Sequence, residues 1–262
     1  MNVDTINQLF GVAGKTVLVT GGAKGIGAAI AVAFVKAGAK VFICSRDLDS
    51  CKALAAQVKD YGECTALACN IADDADRKRF AGEFRGLVPR LDVLINNAGA
   101  LWAAPIEEYP ESGWDKVFDL NVRGTFFLIK ELLPVLQAAA SAEDPARIIN
   151  VGSINALYIP KHETYAYTAS KAALHHLTRH LAAQLAPRHI VANVIAPGQF
   201  PSKMLKGTVE KKGADALLAN IPLGRLVNES DMAGAALYLA SKAGAYLTGI
   251  VIPVDGGYGS LK

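Results

Sequence analysis

The chain has 262 residues, 52% of them hydrophobic and 19% charged, with a net charge of +3. That is ample apolar material for one large core, and with no basic stripe, zinc spacing or aromatic RNA-binding motif it argues against a nucleic-acid partner. No basic start leads into a long apolar run, and the apolar stretches are too short to span a bilayer, so the expectation is a cytoplasmic chain with no membrane partner.

The 24 glycines suit an α/β protein with tight strand–helix turns. Residues 15–20 are a β-branched run that reads as a buried strand. It ends in Gly21-Gly22-Ala23-Lys24-Gly25-Ile26-Gly27, and residues 28–36 read as a helix closed by Gly38. A second strand is expected at 41–44. Asp47 or Asp49 can cap the next helix, which runs through Val58 to Gly62. A third strand is expected at 64–69, a helix at 73–84 and a fourth strand at 91–95, ending in Asn96-Asn97-Ala98-Gly99. A long helix covers about 113–136. The fifth strand is 147–151, the helix carrying Tyr167 follows, the sixth strand is 190–196 and a short last one is 251–254. Short, doubly apolar strands alternating with helices predict one α/β domain over residues 1–262. Its sheet is parallel and doubly wound, of about seven strands, with helices on both faces. Residues 198–224 carry turn residues at both ends, Pro197-Gly198 and Pro222-Leu223-Gly224. With a helical piece at about 209–220, this segment reads as a substrate flap.

The glycine turn lies between a strand and a helix. Gly21, Gly25 and Gly27 let the backbone turn sharply and come close to a ligand, and the helix start offers free N–H groups to a pyrophosphate. Lys24 and Ile26 lie inside the same turn. An acidic residue at the end of the second strand would hold a ribose diol and repel a 2′-phosphate. Ser45-Arg46 stands there instead, with Asp47 one position later. Arg46 and Lys24 together favour NADP(H). After the fourth strand, Asn97, Ala98 and Gly99 leave room for the adenosine ribose, and asparagines can tie adjacent loops together. For Asn96 a structural role is at least as good a reading.

Tyr167 and Lys171 are four residues apart on an expected helix and share a face. An ammonium beside a phenol favours the phenolate and pulls its pKa down. A tyrosine tuned in this way can give a proton to a developing alkoxide and take it back. Tyr165 is six residues from Lys171 and faces elsewhere. From this spacing alone, an ordinary packed tyrosine is an equal alternative. Ser153 follows the fifth strand, where its hydroxyl would face a ligand crevice and donate to a carbonyl oxygen. Asn121, a mediocre helix former in mid-helix, could hold a water beside Lys171 or simply pack. The four cysteines, Cys44, Cys51, Cys64 and Cys69, form no CxxC pair and read as reduced thiols. His176 and His180 are spaced for a metal but lack a partner carboxylate, so an exposed helix face is the better reading and no metal is expected.

In order and at normal separations, residues 20–27 and 96–99, Asn121, Ser153, Tyr167-x-x-x-Lys171 and Pro197-Gly198 resemble the motifs of the short-chain dehydrogenase/reductase family. The likeness covers essentially the whole chain. It implies a Rossmann-like fold and hydride transfer between a nicotinamide and a carbonyl carbon. In that resemblance Ser153 positions the oxygen, Tyr167 protonates it, Lys171 lowers the tyrosine pKa and holds the nicotinamide ribose, and Asn121 anchors a relay water. Pro197 and Gly198 border the cofactor, and Asn70 and Ile71 flank the adenine. The family's usual residue at the first of these two is Asp, and Asn70 departs from it.

Within the family the chain resembles 3-oxoacyl reductases, especially the rhamnolipid-pathway type, at residues 41–46, 142–147, 196–202 and 246–257. Members that take acyl carrier protein carry docking arginines at positions near Pro134 and Ala183 here, and their absence weakens the case for carrier docking. Lys203, Lys206, Lys211 and Lys212 in the flap could meet a phosphorylated carrier or CoA, or be merely solvated. Trp102, Phe200 and Met204 are candidate walls of an apolar pocket, and equally candidate packing residues. The resemblance also implies a homotetramer, or a dimer. A 3-oxoacyl thioester, on CoA or acyl carrier protein, or a similar β-keto compound is the first substrate reading. A sugar, polyol, steroid or secondary-metabolite alcohol is the second, and a non-catalytic NADP-sensing module is the third.

Overall fold

Period-two alternation decides how the strands are covered. In β1 (Thr16–Thr20), Val17 and Val19 point to one face of the sheet and Leu18 to the other, and all three are fully buried. Both faces must therefore be roofed by helices. The structure, a computed structural model, describes residues 3–201, 218–259 and 261. A short helix α1 (Val3–Phe10), which has no counterpart among the expected elements, precedes β1. The chain then alternates through α2 (Gly25–Lys36), β2 (Lys40–Ser45), α3 (Leu48–Val58), β3 (Cys64–Ala68), α4 (Asp74–Leu87) and β4 (Val93–Asn96). Its second half carries α5 (Glu111–Phe118), α6 (Thr125–Ala139), β5 (Ala146–Val151), α7 (Tyr165–Leu185), β6 (Ile190–Pro197), α8 (Glu229–Ala240) and β7 (Val251–Val254).

The seven strands form one sheet in the order β3-β2-β1-β4-β5-β6-β7, and every neighbouring pair is parallel. The strand order reverses between β1 and β4, and at such a switch point a crevice opens beyond the carboxyl ends of the strands. One core layer packs Phe80, Phe84, Leu128 and Leu132 against one face. The other packs Ile30, Phe34, Met232 and Leu239 against the opposite face. All seven expected strands are present, with ends that shift by a residue or two. Asp47 rather than Asp49 caps α3, accepting the Ser50 N–H at 3.0 Å. Among the described residues no helix is long and apolar enough to cross a membrane.

The long helix expected at 113–136 is interrupted. Between α5 and α6, residues Asp119–Gly124 form a π-helical turn. Such turns accommodate an extra residue and occur often at functional sites; this one holds Asn121 buried and facing inward. Of the expected flap, residues 202–217, and with them most of its helical piece, lie outside the described residues.

Candidate active site

The crevice above β1 and β4 contains a cavity of about 300 Å³. Gly21 (φ 63°) and Gly25 (φ 56°) take the left-handed backbone that the sharp turn requires. A Cβ on Gly21 would lie 3.0 Å from the Ala98 Cα, and one on Gly27 would collide with the Gly21 carbonyl and the Asn97 amide. In front of Gly25 the space is open. Lys24, the residue before α2, makes no side-chain cap, so the first N–H groups of that helix face this space without a side-chain acceptor. An open cradle of uncapped N–H groups is what a dinucleotide pyrophosphate needs, and the cleft fits one.

Asparagine and threonine hold the cradle together. Asn97 Nδ2 donates to the Thr20 and Gly21 carbonyls at 3.0 and 3.1 Å, and Thr20 Oγ1 accepts from the Asn97 and Ala98 N–H groups, both at 3.1 Å. Asn96 donates to Asn150 Oδ1 at 2.8 Å, a structural tie between β4 and β5. Ala98 and Gly99 line the same cavity.

Ser45, Arg46 and Lys24 line the end of the cavity beside β2, but the two cations differ. Lys24 Nζ is bonded to Asp47 Oδ2 at 2.9 Å. The Ser50 hydroxyl, and after it Lys24, hold the Asp47 carboxyl far below the usual carboxylate range. Arg46 is exposed and makes no ion pair among the described residues. On the opposite wall, Asn70, expected to flank the adenine, accepts the Ala72 N–H on Oδ1 at 3.3 Å, so that oxygen already has a backbone partner. Ile71 is held from behind by the buried Arg77, which donates to its carbonyl at 3.1 Å.

A second cavity, of about 610 Å³, shares Asn97 and Gly99 with the first. Ser153, Tyr167 and Lys171 all line it, as do Ile26, Pro197 and Gly198. The Ser153 hydroxyl lies beside the Tyr167 phenol, close enough to lower its pKa. Lys171 is buried, and its ammonium donates to the Val151 carbonyl at 2.7 Å and lies 5.7 Å from the centre of the Tyr167 ring. Burial pushes the Tyr167 phenol above its ordinary value, and the neighbouring Ser153 hydroxyl offsets part of that. Burial likewise lowers Lys171 to about 8. The net shift at Tyr167 is therefore opposite to the one argued from the sequence. The low-dielectric surroundings disfavour the charged form of both groups, and the ammonium is bonded to a backbone oxygen rather than to the phenol. Tyr167 is a protonated donor at neutral pH.

Asn121 uses most of its amide on protein. Nδ2 donates to the Ala100 carbonyl at 2.9 Å and to Ser170 Oγ at 3.0 Å, while Oδ1 accepts the Ala100 N–H at 2.8 Å. It ties the loop after β4 to α7, and a water beside Lys171 would have only the remaining acceptor position on Oδ1.

Other expectations divide. Tyr165 is turned away from the site, its ring against Tyr109. His176 and His180 are exposed. All four cysteines are free. The Cys44 thiol is raised by its hydrogen bond to Cys69 and then by burial, and burial raises Cys64 to about 11. Phe200 lines the second cavity. Trp102 does not: its ring packs over Gly113, where a Cβ would come within 2.8 Å, with Lys116 over its face. Glycine at 113 leaves a slot that the indole fills. Met204 and the four flap lysines lie outside the described residues. Sequence reasoning passed over His175, which is buried with its Nε2 against the Ser153 N–H at 3.3 Å. Its position four residues after Lys171 was the available signal.

A dinucleotide cleft joined to a serine–tyrosine–lysine cluster defines an oxidoreductase of the nicotinamide class. Residues 21–259 match the family described as Enoyl-(Acyl carrier protein) reductase. The chain belongs to the short-chain dehydrogenase/reductase family. It is 48% identical over 254 residues to the rhamnolipids biosynthesis 3-oxoacyl-[acyl-carrier-protein] reductase of Pseudomonas aeruginosa, covering 97% of this chain and 99% of that one. It is 34% identical to the D-threitol dehydrogenase of Mycolicibacterium smegmatis, over 94% of this chain and 93% of that one. Among solved structures it is similar to the Pseudomonas aeruginosa RhlG/NADP active-site complex, with a TM-score of 0.92, 47% identity and coverage of 96% and 98%.

Proposed function

We propose that the chain is an NADPH-dependent reductase that turns a carbonyl into a secondary alcohol. Its substrate is a 3-oxoacyl thioester, on CoA or acyl carrier protein, or a similar β-keto compound. The observation that carries the chemistry is the Ser153–Tyr167 hydroxyl pair beside a buried Lys171, in the wall of the second cavity. The substrate class rests on the 48% identical relative.

Gly21, Gly25, Ile26 and Gly27 would hold the pyrophosphate, and Arg46, with Ser45 and Lys24, a 2′-phosphate. Asn97, Ala98 and Gly99 would border the adenosine ribose, and Asn70 and Ile71 the adenine. Pro197 and Gly198 would lie along the nicotinamide end, where Lys171 retains donors for ribose hydroxyls beyond the one on Val151. When bound, NADPH supplies the hydride for the carbonyl carbon. Ser153 Oγ accepts the Asn155 N–H at 3.1 Å, which leaves its proton free to meet the carbonyl oxygen as charge develops there. Tyr167, neutral at pH 7, supplies the proton that completes the alcohol. The buried Lys171 charge stabilises the anion left on Tyr167. Asn121 holds the loop and α7 in register around these groups.

Residues 1–262 then act as one dinucleotide-binding and catalytic domain, with a substrate flap at about 198–224. The working form is a cytoplasmic homotetramer, or a dimer; the exposed Trp114, Phe126 and Tyr246 support such contacts.

A second reading, oxidation of a sugar or polyol, is favoured by Asn155, His162 and Gln199 in the second cavity and by the likeness to D-threitol dehydrogenase. The test compares loss of nicotinamide absorbance for NADPH and NADH on a 3-oxoacyl-CoA and a ketone panel, with polyols and NADP⁺ as the reverse assay. Thioester reduction preferring NADPH is the expected result. Turnover of polyols alone would replace the substrate claim, and NADPH binding with no turnover at all would favour a sensing module.

A further inference from the structure

His175 lies four residues beyond Lys171 and eight beyond Tyr167 on α7, so one helical face carries a phenol, an ammonium and an imidazole. All three meet the end of β5. Tyr167 lies beside the Ser153 hydroxyl in the wall of one cavity, Lys171 donates to the Val151 carbonyl, and His175 Nε2 accepts the Ser153 N–H at 3.3 Å. Between these contacts Gly152 leaves the space the imidazole needs, since a Cβ there would collide with Nε2 and come within 2.7 Å of Val194. Accepting at Nε2 requires the neutral ring with its proton on Nδ1. Burial, with the Lys171 charge adding to it, lowers His175 to about 4 and keeps it neutral in the working range.

We propose that His175 is a positioning residue for Ser153. Its imidazole fixes the extended Ser153 backbone (φ −168°, ψ 149°), so that with the Asn155 N–H on Oγ the hydroxyl proton points into the cavity. The inference rests on the reading of Ser153 given above.

The test is a double-mutant cycle read in turnover, with NADPH affinity followed by fluorescence and folding by thermal melts. His175→Leu removes the acceptor and is expected to lower kcat about tenfold, the kinetic equivalent of one hydrogen bond, with NADPH Kd unchanged. His175→Gln, whose amide oxygen can accept the same N–H, is expected to recover most of the loss. In a Ser153→Ala background, His175→Leu should have no further effect beyond about twofold. Three results overturn the proposal: full turnover in His175→Leu, the same tenfold loss on top of Ser153→Ala, or His175→Gln no better than leucine. If His175→Leu does not fold, His175→Met takes its place. If neither folds, the imidazole serves the fold rather than the hydroxyl, and the proposal also fails. Wild-type turnover in Ser153→Ala would instead remove the reading of Ser153, and this inference with it.

Discussion

Arg46→Ala should weaken NADPH and leave NADH nearly untouched, because the 2′-phosphate is the only chemical difference between them. A guanidinium on a phosphate is a charge-assisted pair of roughly 1.5–3 kcal/mol, or about 10- to 150-fold in Kd. Lys24 faces the same cavity, but its side chain is 73% exposed and its ammonium is already 2.9 Å from Asp47 Oδ2. Lys24→Ala should therefore cost only about two- to fivefold. Asp47→Asn keeps a capping side chain for α3 but removes the competing charge, and should tighten NADPH about twofold. Fluorescence titrations of both nucleotides at one fixed ionic strength measure all three, since screening scales every value. A larger NADPH loss in Lys24→Ala than in Arg46→Ala would refute the assignment of Arg46 as the unshared cation. Equal losses of NADPH and NADH in Arg46→Ala would refute it as well.

Tyr167→Phe should lower turnover by roughly 10²- to 10⁴-fold while NADPH still binds; stopped assays and the same titrations check both. Gly113→Ala should destabilise by roughly 1–3 kcal/mol through overpacking, because the new methyl falls 2.8 Å from the Trp102 ring; a melt unchanged from wild type would contradict that packing. His175 titrates at 6.5 when unfolded and about 4 when folded. Across that window the unfolded chain binds the extra proton, so stability falls as pH is lowered, by up to roughly 3 kcal/mol. Denaturation midpoints against pH should lose this slope in His175→Gln. Lys171, at about 8 against 10.5, makes stability rise as pH climbs through that interval. Tyr167, shifted upward, opposes it above pH 10, so the comparison is Lys171→Met against wild type between pH 8 and 10.

The strands and the glycine turn were legible because their signals are local. Alternation in β1 and φ-permissive residues at Gly21 and Gly25 need no knowledge of partners. What the sequence hid depends on contacts across the fold. The π-helical turn at Asp119–Gly124 looks helical at every position, and its extra residue shows only once Asn121 is seen bonded to Ala100 and Ser170. For Trp102 the sequence left pocket wall and packing residue equal, because proximity to the Asn96–Gly99 turn says nothing of the slot over Gly113 that makes it a packing residue. The sign of the Tyr167 shift was also out of reach. Charge proximity can be read from the spacing of Tyr167 and Lys171, but the burial that outweighs it cannot.

The contacts that assemble the site share a property bearing on substrate choice. Lys171 grips the Val151 carbonyl, His175 the Ser153 N–H and Asn121 both backbone polar groups of Ala100. Each of these partners is a backbone atom, which any side chain at that position would present; the Asn121 bond to Ser170 Oγ is the side-chain exception. The frame therefore does not draw on the apolar residues that line the rest of the second cavity. Leu101, Ala103 and Phe200, which line that cavity, are expected to tolerate change without moving the proton donor. That separation gives a physical reason why two chains 48% and 34% identical to this one, the 3-oxoacyl reductase and the D-threitol dehydrogenase, carry different substrates in their names. For this chain, substitutions at Leu101 or Phe200 should change KM among ketones of different bulk while leaving kcat for a small ketone within about threefold. A collapse of kcat for every substrate would mean that the lining and the frame are mechanically coupled after all.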